Sequence, residues 1–149
     1  LGFSGASRRL EVDINRPELN FTVYRDFAHA PSKLKATQSG VVGSYPDRKV
    51  TAVFELHTFS SLNKDFLPQY HGSMDAVDSA IVFYDPKVVE HKRLPAITIQ
   101  EVKDAFARED LEVITIVEQL EARLGLIPKE NHCVLMMSSG RFGGTELDF

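Results

Sequence analysis

The chain is 149 residues long, enough for one domain with a single sizeable core. Its apolar fraction of 43% and charged fraction of 26% are those of an ordinary globular protein. A net charge of −4 offers no basic surface to nucleic acid or anionic lipid; no apolar run approaches the roughly 20 residues that span a bilayer, and no signal peptide is visible.

Residues 1–9, Leu1-Gly2-Phe3-Ser4-Gly5-Ala6-Ser7-Arg8-Arg9, are small and flexible in composition and read as a linker. The chain starts at Leu1 rather than Met, as expected of a fragment of something longer. Residues 10–14 alternate like a strand, turn residues fill 15–20, and residues 21–26 alternate again, which predicts an N-terminal β-hairpin. Residues 31–45 read as a helix opened by Pro31, with Leu34, Thr37, Val41 and Tyr45 on one face. Gly40 and Gly43 each cost that helix roughly 1 kcal/mol against Ala. Residues 49–55 are a buried-type strand, and 63–77 are expected to contain a helix interrupted near Pro68 and Gly72. Residues 80–84 form a short apolar strand stopped by Asp85-Pro86. A helix follows within 95–108, where Thr98 and Glu101 are spaced as a capping box. A strand at 111–114, a helix at 117–124 and a strand at 132–137 complete the set. Cys133, inside that last apolar run, reads as a buried thiol, in keeping with a reducing cytoplasm. Strands alternating with helices at this interval predict an α/β, Rossmann-like three-layer domain with a mostly parallel sheet of about six strands.

Parallel strands deliver their C-terminal ends to one edge, the usual ligand-binding side of α/β folds. Three strand ends carry chemistry there: Asp26, Phe27 and His29; His57, Thr58, Ser60 and Ser61; Ser138, Ser139 and Phe142. Each has a plainer reading. Asp26 can cap a turn with His29 on the surface, Ser60 and Ser61 can start a helix, and Gly140, Gly143 and Gly144 can serve a tight turn. His29 and His57 lack a third ligand at a supporting spacing, so no metal site is expected. His71 and His91 read as surface residues, and His132 shows no partner. A serine hydrolase is excluded because no Gly-x-Ser-x-Gly elbow is present, and no Gly-x-x-x-x-Gly-Lys-Ser/Thr phosphate loop occurs either.

The motifs themselves resemble those of a known family. Asp26-Phe27-Ala28-His29-Ala30-Pro31 is similar to the Asp-Tyr/Phe-Ala/Gly-His-x-Pro signature that opens the C-terminal domain of Mur ligases, the ATP-dependent amide-forming enzymes of peptidoglycan synthesis and recycling. Val53-Phe54-Glu55-Leu56-His57-Thr58 resembles the segment after the next strand. Met137-Ser138-Ser139-Gly140-Arg141-Phe142-Gly143-Gly144 resembles the Ser-x-Gly-x-Phe-Gly-Gly close, in the form most like the murein peptide ligase branch, which joins UDP-N-acetylmuramate to a recovered tripeptide.

The resemblance implies that residues 10–149 are a Mur ligase C-terminal domain, that 1–9 link it to a central ATP-binding domain outside this chain, and that the chain alone is inactive. ATP and Mg2+ would be bound in the full-length parent, mainly by that central domain. Arg9 would reach the nucleotide phosphates and Asp26 the ribose. Phe27 and His29 would border the incoming amine, and His57, Thr58 and Ser61 would bind its carboxylate or side chain. Ser138, Ser139, Arg141 and Phe142 would complete the amine-substrate side. The implied partners are UDP-N-acetylmuramate, a peptide or amino-acid amine, and the preceding Mur ligase domains, in the cytoplasm. L-alanine-adding relatives carry arginines where Thr58 and Ser61 stand. Lys64 and Arg141 are the nearest cations here, which favours a peptide over a single amino acid. An L-alanine-adding or polyglutamate-adding relative, or a non-catalytic α/β nucleotide- or peptide-binding module, are the alternatives.

Overall fold

The computed structural model describes residues 10–146 and 149. Among them six strands form one sheet: β1 (Glu11–Arg16), β2 (Phe21–Asp26), β3 (Lys49–Glu55), β4 (Ser79–Phe83), β5 (Glu112–Ile114) and β6 (His132–Met137). Their spatial order is β1-β2-β6-β3-β4-β5, with β1 antiparallel to β2 and every other pairing parallel. Four α-helices accompany them: α1 (Pro31–Ser44), α2 (Pro86–His91), α3 (Ile99–Phe106) and α4 (Val117–Gly125).

Alternation along the central strands splits the core in two. Ala52, Phe54, Val82, Leu135 and Met137 pack with Leu34 and Val41 of α1 and with Val102 and Phe106 of α3. Val53, Ile81, Phe83, Val134 and Met136 pack on the other face with Leu120 and Leu124 of α4. The result is the three-layer domain that the pattern predicts. Strands covered on both faces have no solvated side, so they read as continuous apolar runs rather than as alternation. Cys133 is fully buried, and burial pushes its thiol up to about 11. Arg123 clamps α4 to β5 through a fork on Glu112, at 2.6 and 2.9 Å.

Several expectations change. β1 continues through Asn15 and Arg16 because Asn15 pairs with Thr22, and a 3-10 turn at Pro17–Leu19 closes on left-handed Asn20. Residues 63–77 hold no α-helix. They form successive turns around a 3-10 segment, Leu67–Tyr70, with Pro68 lacking a donor and Gly72 at φ 73. Leu67, Tyr70, Met74 and Val77 are buried, so a helix-like apolar spacing is met by turns, which Arg108 pins through the carbonyls of Met74, Val77 and Asp78. Asp85-Pro86 stops β4 but also starts α2, with the Asp85 carboxyl accepting from the Lys87 N–H at 2.9 Å. Finally, α1 buries Gln38 rather than Thr37; its amide donates to the carbonyls of Leu34 and Ser73. The capping box of α3 is present, with both reciprocal bonds closed.

His132 does have a partner. It is 6% exposed, with Nε2 2.7 Å from Thr51 Oγ1, and burial holds the imidazole below its ordinary range; Asp78 opposes that shift, while Arg123 and Lys49 add to it. The unfolded chain therefore binds the proton more readily than the folded one in the interval below about 6.5. The stability contributed by neutral His132 is complete above that value and is lost as pH falls through the depressed folded value. Urea denaturation from about pH 7.5 down to about 5 should show stability falling in the wild type and falling less in His132→Gln; parallel curves would remove His132 as a cause.

Candidate functional site

The sheet order brings together the three strand ends singled out by the motifs. The crossover from β2 through α1 to β3 leaves a slot that β6 later fills, and such a switch in strand order opens a crevice at the C-terminal edge. Asp26 lies level with Met137, Met137 with Phe54, and the Ser138 N–H donates to the Asp26 carbonyl at 3.0 Å.

Glu55, the last residue of β3, sits at the centre and is 3% exposed. Its Oε1 accepts from the Ser138 hydroxyl at 2.6 Å and from the Phe142 N–H at 2.7 Å. Ser138 Oγ in turn accepts from the Gly140 N–H at 2.7 Å. The carboxyl thus ties the loop after β6 to the end of β3. That loop turns on Phe142, Gly143 and Gly144, all at positive φ (53, 63 and 84°). Gly143 is required twice over, since a Cβ there would also approach Val117 Cγ2 to 2.8 Å. Phe142 lacks a glycine's freedom; its buried ring and its bond to Glu55 offset the strain.

His57 has neighbours on two sides. Its Nδ1 lies 3.7 Å from Glu55 Oε2, and the ring rests on the Gly140 backbone, where an added Cβ would come within 2.8 Å of Cγ and Cδ2. The side chain is 38% exposed and opens on a cavity of about 630 Å³ lined by Phe27, Glu55, Asp85, Ser139 and Arg141 among others.

Of the residues expected at the site, Phe27, His57, Ser139 and Arg141 therefore line one cavity. Others carry structural contacts beside it. Asp26 Oδ1 accepts from the Ala28 N–H at 2.7 Å, with Thr37 Oγ1 at 3.5 Å from Oδ2. His29 sets Nδ1 3.1 Å from the Phe27 carbonyl and its ring edge-on to the Phe27 ring, and Tyr70 donates to its carbonyl. Thr58 and Ser61 bond to one another, and Ser61 is fully buried. Ser138 and Phe142 are buried in the clasp. Lys64 pairs with Glu101 at 3.2 Å in a separate groove. Arg9 lies outside the described residues. Glu55 was missed as a site residue, although a carboxyl ending an otherwise apolar strand is a signal, because a buried acid has to find partners. Among the described residues no group of three or more His, Cys, Asp and Glu side chains is arranged to hold a metal ion, and no helix is long and apolar enough to cross a membrane.

Fold and cleft define an α/β domain with an open crevice at a strand switch. No protein-family model matches the chain. The UDP-N-acetylmuramate–L-alanine ligase of Desulfitobacterium hafniense (strain Y51) is 27% identical over 141 residues, covering 93% of this chain and 30% of that protein. A domain assigned to a UDP-N-acetylmuramate:L-alanyl-gamma-D-glutamyl-meso-diaminopimelate ligase of Haemophilus ducreyi 35000HP is 27% identical; the match covers 92% of this chain and 93% of that one, with a TM-score of 0.61. The murein peptide ligase of Psychrobacter arcticus 273-4 shares the fold at 19% identity, with 97% of this chain and 29% of that one covered and a TM-score of 0.72. The homologues of this chain are Mur ligase C-terminal domains. The chain spans about 30% of the length of the curated relative.

Removing the clasp should be costly. Glu55→Ala strands a buried N–H and a buried hydroxyl and should lower stability by about 3 kcal/mol, since hydrogen bonds to a charged acceptor are worth about 1.5–3 kcal/mol each. Glu55→Gln keeps an acceptor oxygen and should lose roughly a third of that. Urea unfolding of the two variants checks this; equal and small losses would mean that the loop is held by something else.

Proposed function

We propose that this chain is the amine-binding C-terminal part of an ATP-dependent ligase of the peptidoglycan type, which joins UDP-N-acetylmuramate to a peptide of tripeptide size. The cavity at the β2-β6-β3 edge carries this reading, because it is roomy and presents Phe27, His57, Ser139 and Arg141 together. At about 630 Å³ it is in the range of pockets that enclose drug-sized ligands, far more than one small amino acid needs. Arg141 offers a guanidinium fork to a distant carboxylate, Phe27 an apolar wall and Ser139 a hydroxyl.

The rest of the reading concerns the longer parent. ATP would convert the muramate carboxylate to an acyl phosphate, with Mg2+ and most nucleotide contacts held by a central domain that residues 1–9 join to this one. Arg9 and Asp26 would touch the nucleotide from this side, and closure of the two domains would bring amine and acyl phosphate together. None of the steps assigned to this chain passes through a metal. The cytoplasm is where such a ligase would meet its substrates.

A second reading has support from the Desulfitobacterium relative, whose substrate by name is L-alanine. A site selective for so small an amine needs a close charge clamp, and Thr58 and Ser61 supply neutral hydroxyls already bonded to one another. In the full-length protein, kcat/KM for a tripeptide amine should therefore exceed that for L-alanine by orders of magnitude. Arg141→Ala should raise KM for the peptide about tenfold, the effect of about 1.4 kcal/mol, without changing KM for ATP. Comparable kcat/KM values for the two amines would promote the L-alanine reading.

A further inference from the structure

The position of His57 between the Glu55 carboxyl and the Gly140 backbone has a chemical consequence, which rests on the ligase reading above. An amine substrate arrives largely as an ammonium ion, with no lone pair to attack an acyl phosphate. We propose that His57 is the base that takes this proton, and that Glu55 is the positioning residue that aims it.

The geometry assigns the two ring nitrogens different tasks. Nδ1 faces Glu55 Oε2 at 3.7 Å, and Oε1 of the same carboxyl is already filled by Ser138 and Phe142. Oε2 is thus the oxygen left to stabilise an imidazolium, and the contact can shorten when the ring takes a proton. Packing on Gly140 fixes the plane of the ring. Among the described residues Nε2, the far nitrogen, has no hydrogen-bond partner, and the ring opens on the cavity. The other charged groups lining that cavity are Asp85, on the loop after β4, and Arg141, on the loop after β6. A base oriented by a buried carboxyl is a recurring catalytic arrangement, and imidazole is the side chain whose proton exchange falls nearest neutrality.

The step balances. One ammonium proton passes to Nε2, and the freed lone pair attacks the carbonyl carbon of the acyl phosphate. The C–N bond forms and the C–O bond to phosphate breaks with its electron pair. The second surplus proton on nitrogen leaves with the phosphate as hydrogen phosphate, and His57 returns its proton to solvent.

The test is amine-dependent phosphate release by the full-length protein at saturating ATP, UDP-N-acetylmuramate and tripeptide, from neutral pH upward. His57→Gln should lower kcat about 100-fold near neutrality, the lower end of what a positioned base supplies. The deficit should shrink steadily above about pH 8, where α-amino groups lose the proton unaided. Glu55→Gln, which keeps an acceptor for the loop, and Gly140→Ala, which displaces the ring without altering charge, should show smaller deficits with the same pH trend. Trapping of the acyl phosphate with hydroxylamine should be unchanged in all three. A deficit of constant size across the pH range, or an undiminished kcat in His57→Gln, would overturn the proposal while leaving the ligase reading standing. Wild-type protein that releases no phosphate in response to any amine would overturn that reading, and this inference with it.

Discussion

A carboxyl group taken out of water has to be met by hydrogen bonds, and the arrangement of the cleft depends on how Glu55 meets that demand. An unpaired acid in such a place would cost several kcal/mol, so the chain around it is not free to choose its path. One oxygen draws the Ser138 hydroxyl and the Phe142 N–H onto the end of β3. The other faces His57, two residues further along the same chain. The acid therefore ties a strand end to a loop from a second strand, with an imidazole beside it. The loop it holds contains three successive left-handed residues, and Phe142, the one without a glycine's freedom, is the one bonded to the acid.

Topology makes this bond possible. β6 is the last strand in sequence yet lies between β2 and β3, so residues more than eighty positions apart become neighbours at one edge. The two faces of the sheet then divide the labour. One face packs α1, α3 and the pinned turns of 57–78. The other packs α4, whose first residue, Val117, lies against Gly143 of the clasped loop. A peptide bound in the cavity would rest on elements that the core already holds still, as precise recognition requires.

What was legible in the sequence follows from how local each cause is. β2 is visible through its alternation, and β3 and β6 because apolar, β-rich runs bounded by turn residues can do little else in water. The capping box of α3 is visible because three residues carry the whole pattern. The region 63–77 misled because Leu67, Tyr70, Met74 and Val77 have helical spacing, while Pro68 and a distant arginine fix their backbone as turns. Gln38 enters the core only because the Ser73 carbonyl waits for it there, and no local rule foretells that. For the site, the motifs located three strand ends; which hydroxyls would be spent on the scaffold depended on partners remote in sequence. Ser138 turns to Glu55 for that reason, and Phe142 gives its backbone N–H to the same carboxyl while its ring packs into the core.

Native-state hydrogen exchange at the Phe142 amide tests the clasp most directly. If Glu55 holds this loop against the sheet, the Phe142 N–H exchanges as slowly as the amides of β6 and opens only with global unfolding. Exchange at the rate of an open surface loop, with β6 still protected, would contradict the account.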